Sequence, residues 1–234
     1  MSKNAFITGC SSGIGAATAA LMKSQGWRVL GFDLKEPTDN VDEFVQIDLS
    51  SQASIDTAVS KATGTALTLC NIAGVPPTLP PEVQIRVNFL GLKSFTEQIA
   101  EKLEDGASIV NVASMAGLAW EPNVDAIRQL LNVGMDEDIP AFLDSSGIPE
   151  PATYAFSKQA VIGWTVMAAQ RWKDRGITIK SVSPGPIKTP ILQDFMDTIV
   201  KQQVQLPEEY LGDPENIASV IGFLAGDGGQ WING

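Results

Sequence analysis

A doubly wound parallel β-sheet with helices on both faces, an α/β fold, is predicted by three features of this sequence. Short apolar runs alternate with longer stretches of helical period, the alternation that strands and crossover helices produce in a parallel sheet. The apolar runs are nearly unbroken, which suits strands covered on both faces. Most segments between them are long enough for a right-handed crossover, and no stretch repeats another.

Taken in order, Asn-Ala-Phe-Ile-Thr predicts a strand at 4–8, and a helix is expected at 14–25. Arg-Val-Leu-Gly-Phe-Asp predicts the second strand at 28–33 and Phe-Val-Gln-Ile-Asp the third at 44–48, followed by a helix at 51–61. Leu-Thr-Leu-Cys-Asn-Ile predicts the fourth strand at 67–72, and a long helix is expected at 83–103. Ser-Ile-Val-Asn-Val-Ala marks a fifth strand at 108–113, a helix follows at 153–172, Thr-Ile-Lys-Ser-Val-Ser marks a sixth strand at 178–183, and a helix is expected at 214–225. Two regions break the rhythm. Residues 118–151 read as an insertion with two short helices, 124–132 and 137–143, each with an apolar stripe. Gln230-Trp231-Ile232-Asn233-Gly234 reads as the approach to a further strand that does not follow.

The length of 234 residues fits one domain. A composition that is 44% hydrophobic is that of a globular core, and no apolar run nears the roughly 20 residues a bilayer span requires. A net charge of −11, with no run of Lys and Arg, argues against nucleic acid as a partner. With no histidine, Ser-His-Asp and Cys-His nucleophile systems and His-containing metal sites are excluded, and no metal is expected. Cys10 and Cys70 lack the spacing of a metal or redox pair and read as reduced thiols. The start runs directly into a strand, without a secretory apolar stretch, so a cytoplasmic location is expected.

Gly9-Cys10-Ser11-Ser12-Gly13-Ile14-Gly15 joins the first strand to a helix start. Glycines there allow a pyrophosphate to approach the backbone at the positive helix N-terminus, although a tight turn alone also favours glycine. Asp33 falls 18 residues after Gly15 at the end of the second strand, the interval expected of a ribose-binding carboxylate. The pair predicts a Rossmann-type dinucleotide site. Asp33 favours NAD over NADP because a carboxylate repels a 2′-phosphate, while Lys35 is the one nearby group that could meet such a phosphate. Asp48 and Leu49, after the third strand, are candidates for the adenine side.

Tyr154 and Lys158 stand one helical turn apart on one face. Ser114 ends the fifth strand, at the sheet edge where such folds bind ligands. An alcohol losing its hydride must also lose a proton, and without histidine the base must be another side chain. A phenol with an ammonium one turn away suits the task, because the positive charge favours the phenolate. These residues, with Asn71-Ile72-Ala73-Gly74, Asn88 and Pro184-Gly185-Pro186-Ile187-Lys188-Thr189, resemble the short-chain dehydrogenase/reductase family over essentially the whole chain. Ile72 stands where that family often has a second Asn.

The resemblance implies Tyr154 as general base, Lys158 lowering its pKa and holding the nicotinamide ribose, Ser114 bonding the substrate oxygen, and Asn88 as a water-holding relay residue. It implies that Gly9, Ser11, Ser12, Gly13, Ile14, Gly15, Asp33, Asp48, Leu49, Asn71, Ala73, Gly74, Pro184, Gly185, Ile187 and Thr189 bind the cofactor together with Tyr154 and Lys158. The insertion between Ser114 and Tyr154 is longer than usual in the family. Its length and neighbouring motifs, Pro190-Ile191-Leu192-Gln193-Asp194-Phe195 among them, resemble the subgroup of bacterial coniferyl-alcohol dehydrogenases and 3α-hydroxysteroid dehydrogenase/carbonyl reductases. An NAD-dependent oxidoreductase of a bulky apolar alcohol or carbonyl, assembled as a homodimer or homotetramer, is the resulting expectation. Two other readings stay open at this level, a non-catalytic dinucleotide-binding sensor or scaffold and an NADP-dependent carbonyl reductase. Trp120, Phe142, Trp164, Phe195 and Met196 are candidates for an apolar substrate wall. The insertion is expected to bury its apolar residues on its own subunit or a partner, and to form a lid beside the substrate mouth.

Overall fold

Six parallel strands lie in the order β3-β2-β1-β4-β5-β6 in the computed structural model, which describes residues 3–192, 194 and 207–234. They are β1 (Asn4–Thr8), β2 (Arg28–Asp33), β3 (Glu43–Gln46), β4 (Ala66–Asn71), β5 (Leu103–Val112) and β6 (Thr178–Val182). The order reverses between β1 and β4, so the connections leaving those two strands diverge and open a crevice at their carboxyl ends.

Alternate residues of each strand serve opposite faces. Phe6, Leu30, Phe32, Leu69 and Ile109 point to one side, into a core shared with α2 (Gln52–Lys61), α4 (Leu92–Ile99) and α7 (Thr153–Met167). Ala5, Ile7, Val29, Cys70 and Val110 point to the other, against Ala19 and Met22 of α1 (Gly13–Ser24) and Ile221 and Leu224 of α8 (Pro214–Ala225). Cys10 and Cys70 are free and buried. Among the described residues no helix is long and apolar enough to cross a membrane.

The long helix expected at 83–103 is instead a composite. It runs as α3 (Pro81–Ile85), a π-helical turn (Arg86–Gly91), α4, and a final 3₁₀ turn (Ala100–Lys102). Within the wide turn Asn88 is fully buried and bonds backward to the loop after β4 rather than along the helix. β5 begins five residues earlier than its apolar run predicts, and its pairing with β4 shifts register between Ala66 and Thr68. α7 stops at Met167, short of Trp172.

The insertion forms α5 (Val124–Leu130) and α6 (Ile139–Ser145), the latter started by the Asp138 carboxylate, which accepts from Ala141 N at 3.0 Å. Ile127, Leu130, Ile139 and Leu143 are buried in the same core as Phe156, Ala160 and Trp164 of α7. Phe142 stacks on Phe156 at 6.4 Å, and Arg86 donates to the carbonyls of Met135 and Glu137. The insertion thus buries its apolar stripe on its own chain. At the other end, Gly234 N donates to the Ile179 carbonyl at 2.8 Å and Asn233 Oδ1 accepts from Ile179 N at 2.9 Å, so 233–234 lie along the outer edge of β6.

Candidate active site

A cleft of about 580 Å³ occupies the crevice at the carboxyl ends of the strands, within the size range of small-molecule sites. Its floor is built by local chain demands. Thr8 ends β1, and its hydroxyl accepts from Ile72 N and Ala73 N, which holds the loop after β4 beside the glycine loop. Gly9 has φ +72°, and a Cβ there would lie 2.7 Å from Ala73 N, so only glycine permits that approach. Ser12 precedes α1 without a side-chain cap, leaving the first amides of the helix turned to the cleft.

Gly9, Ser11, Ser12, Gly13, Ile14, Gly15, Asp33, Asp48, Leu49, Ala73, Gly74, Pro184, Gly185, Ile187 and Thr189 all line the cleft. Asp33 Oδ2 accepts from Ser11 N at 3.0 Å and from Ser11 Oγ at 2.8 Å, while Oδ1 takes a longer bond from Lys35 N. Asp48 Oδ1 accepts from the amide and hydroxyl of Ser50, closing a turn ahead of α2, whose cap is Ser51. Asn71 does not line the cleft. Its Nδ2 donates to Thr96 Oγ1 and Asn111 Oδ1, both at 2.8 Å, and Asn111 Nδ2 donates to Thr165 Oγ1. This buried chain ties α4 and α7 to β4 and β5, because this Asn of β4 faces the helical layer and not the crevice.

Ser114, Tyr154 and Lys158 meet at one side of the cleft. The Ser114 side chain lies beside the Tyr154 phenol, close enough to influence its ionisation. Burial raises the phenol above its ordinary 10.0, and the Ser114 hydroxyl opposes that rise. Lys158 is 5% exposed, and its Nζ donates to the Val112 carbonyl at 3.2 Å. Burial lowers its pKa from the ordinary 10.5 to about 8. Asn88 sits behind these groups rather than on the cleft wall. Its Oδ1 accepts from Val75 N at 2.7 Å, and its Nδ2 donates to Val75 O and to Ser157 Oγ, both at 3.2 Å. The Ser157 hydroxyl in turn donates to the Tyr154 carbonyl, so Asn88 links the loop after β4 to α7.

The apolar wall differs from the expected one. Trp164 is buried edge-on against Phe89, Phe142 is spent on Phe156, and Trp120 packs over Gly163. Phe195 and Met196 lie outside the described residues. Val75, Met115, Ile191 and Leu192 line the cleft instead. Of these, Met115 was within reach of sequence reasoning, since it follows Ser114 at the carboxyl edge of a strand.

A parallel sheet with a glycine loop at its reversal point and a Ser-Tyr-Lys cluster opposite defines an oxidoreductase of the Rossmann type. A model of the short chain dehydrogenase family matches residues 3–126, and one described as enoyl-(acyl carrier protein) reductase matches 141–234. The chain is 36% identical over 236 residues to a coniferyl-alcohol dehydrogenase of Pseudomonas sp. strain HR199, with 99% of this chain and 92% of that protein covered. It is 30% identical to a cyclohexanol dehydrogenase of Acinetobacter sp., at 99% and 92% coverage. The crystal structure of a 3-alpha-hydroxysteroid dehydrogenase from Pseudomonas sp. B-0831 complexed with NADH superposes with a TM-score of 0.82 at 25% identity, covering 99% of this chain and 92% of that one. The chain belongs to the short-chain dehydrogenase/reductase family.

Proposed function

We propose that this chain is an NAD-dependent oxidoreductase that interconverts a bulky, uncharged alcohol and its carbonyl, with Tyr154 as the proton-transferring group. The observation that carries the reading is that Ser114, Tyr154 and Lys158 line the same cleft as the glycine loop and the uncapped start of α1. NAD fits that cleft by its chemistry. The free amides of α1 suit a pyrophosphate, Asp33 suits ribose hydroxyls, and Lys158 is the only cation among the described lining residues. A 2′-phosphate beside Asp33 would face like charge, and Lys35 is not among the residues that line the cleft. Leu34, lining the cleft next to Asp33, is apolar.

Bound NAD supplies the acceptor for the hydride that leaves the alcohol carbon. Tyr154 as phenolate takes the hydroxyl proton, and in the reverse direction the phenol returns it. Ser114 donates to the substrate oxygen as charge develops there. Burial alone would keep the phenol protonated; the Ser114 hydroxyl opposes this, and in the proposed complex the positive charge of Lys158 would favour the phenolate further. Asn88 acts as a positioning residue by holding Val75 and Ser157. Met115, Val75, Ile191 and Leu192 offer a substrate apolar contact and no ionic handle, which supports an uncharged alcohol of the kind that names the coniferyl-alcohol and cyclohexanol relatives.

Replacing Tyr154→Phe removes one oxygen and leaves the cleft shape. NAD binding should persist, followed by fluorescence titration, while oxidation of coniferyl alcohol and cyclohexanol falls by roughly 10²-fold or more. Oxidation by the unaltered protein should rise with pH as Tyr154 ionises. A variant retaining half the rate would remove Tyr154 from the mechanism.

A further inference from the structure

The segment that leaves Ser114 is locked to α7 at one residue. Gln159 follows Lys158 and is 8% exposed. Its Nε2 donates to the Ala119 carbonyl at 2.8 Å, and its Oε1 accepts from Asn123 Nδ2 at 2.7 Å. Between Ser114 and those anchors, Gly117 rests directly on α7. A Cβ at Gly117 would stand 2.7 Å from the carbonyl carbon and oxygen of Lys158, so a larger residue would push the segment off the helix. On the other side, Met115 N donates to the Pro184 carbonyl at 2.9 Å. Ser114 is therefore held between a fixed point on the loop after β6 and a fixed point on the helix that carries Tyr154 and Lys158.

A buried amide is costly unless both its ends are bonded, and here both ends serve the same loop. We infer that Gln159 is a positioning residue for the proton-transfer pair, its amide clamping residues 117–123 to α7 and so setting the Ser114 hydroxyl against the Tyr154 phenol. The inference rests on Tyr154 being the base. An apolar side chain of similar size would fill the same volume, but only an amide offers a donor to Ala119 and an acceptor to Asn123 together. Without the clamp those two groups turn to water, Ser114 loses its register beside the phenol, and the hydroxyl that favours the phenol's ionised form is displaced.

The test compares Gln159→Leu, Gln159→Glu and Asn123→Ala with the unaltered protein, using NAD with coniferyl alcohol and cyclohexanol and Tyr154→Phe as a control. Gln159→Leu should lower kcat/KM for the alcohol about tenfold, leave NAD affinity unchanged, and move the rising limb of the pH profile to higher pH. Gln159→Glu still accepts from Asn123 but cannot donate to Ala119 while ionised, so it should fall between. A second readout needs no turnover. Tyr154 and Tyr210 are the two tyrosines of the chain, and Tyr210 is 67% exposed. In a Tyr210→Phe background the near-ultraviolet phenolate absorbance of the NAD complex therefore titrates Tyr154 alone. Its midpoint should rise by about half to one pH unit in Gln159→Leu. A folded Gln159→Leu protein with unchanged kcat/KM and midpoint would overturn the inference. Should that variant fail to fold, Asn123→Ala, at a half-buried position just before α5, decides by the same two readouts. If Tyr154→Phe stays active, the base is misassigned and the inference falls with it, whatever the clamp variants do.

Discussion

Asp33 carries two tasks in one carboxylate. It fixes the glycine loop through Ser11, and it places negative charge where an adenosine ribose would lie in the proposed complex. Asp33→Ala alone should weaken both nucleotides by loosening the loop. Adding Leu34→Arg supplies a planar, permanently charged partner for a phosphate, so the double variant should move the NADP-to-NAD ratio of kcat/KM by about tenfold or more toward NADP. Steady-state kinetics with both nucleotides measures it, and an unmoved ratio would place Asp33 outside the nucleotide site. Spacing along the chain was enough to single out Asp33, Tyr154 and Lys158, because each is defined by its distance from a local landmark. Asn71 and Gln159 were not legible in this way, since the first turns into the helical layer and the second matters only through partners 36 and 40 residues away.

At the scale of elements, the composite helix and the insertion are where local pattern and tertiary demand part. A periodic apolar stripe over 83–103 is equally compatible with a straight helix and with a π-helical turn, and the bonds of Asn88 to Val75 select the latter. The stripes of α5 and α6 announced a buried surface but not its owner, which is α7 of the same chain. Deleting 124–143 with a short linker should uncover Phe156, Ala160 and Trp164 and free the loop after Ser114. Light scattering should then report a changed molecular mass, and the KM for coniferyl alcohol should change with it. If both stayed at their original values, the insertion would have no part in assembly or substrate access.

At the scale of the whole molecule, Lys180 ties three separate segments together. It is 1% exposed on β6, and its Nζ donates to Ser108 Oγ, Leu224 O and Gly229 O, all at 2.9 Å, which anchors the carboxyl end of α8 to the sheet. Burial lowers its pKa from the ordinary 10.5 to about 8. Between those values the unfolded chain holds a proton that the folded protein has released, so this group's contribution to stability rises with pH across the interval. Lys158 shares the displacement but cancels in a comparison with Lys180→Met. Urea unfolding at about pH 7 and about pH 10 should show the unaltered protein gaining on the variant as the pH rises. A constant difference would mean that Lys180 keeps its ordinary pKa in the fold.

Sequence by itself determined the order of strands and helices, the glycine loop, the acid that follows it and the Tyr-Lys pair, because run length, helical period and spacing are properties of neighbouring residues. Tertiary structure alone decided that Asn71 belongs to a buried amide chain, that Asn88 sits in a π-helical turn, that Met115 rather than Trp164 faces the cleft, and that Gln159 bonds Ala119 and Asn123. Each of those depends on which segment the sheet's reversal and the insertion bring alongside, and a side chain's direction in a packed layer is set by that neighbour.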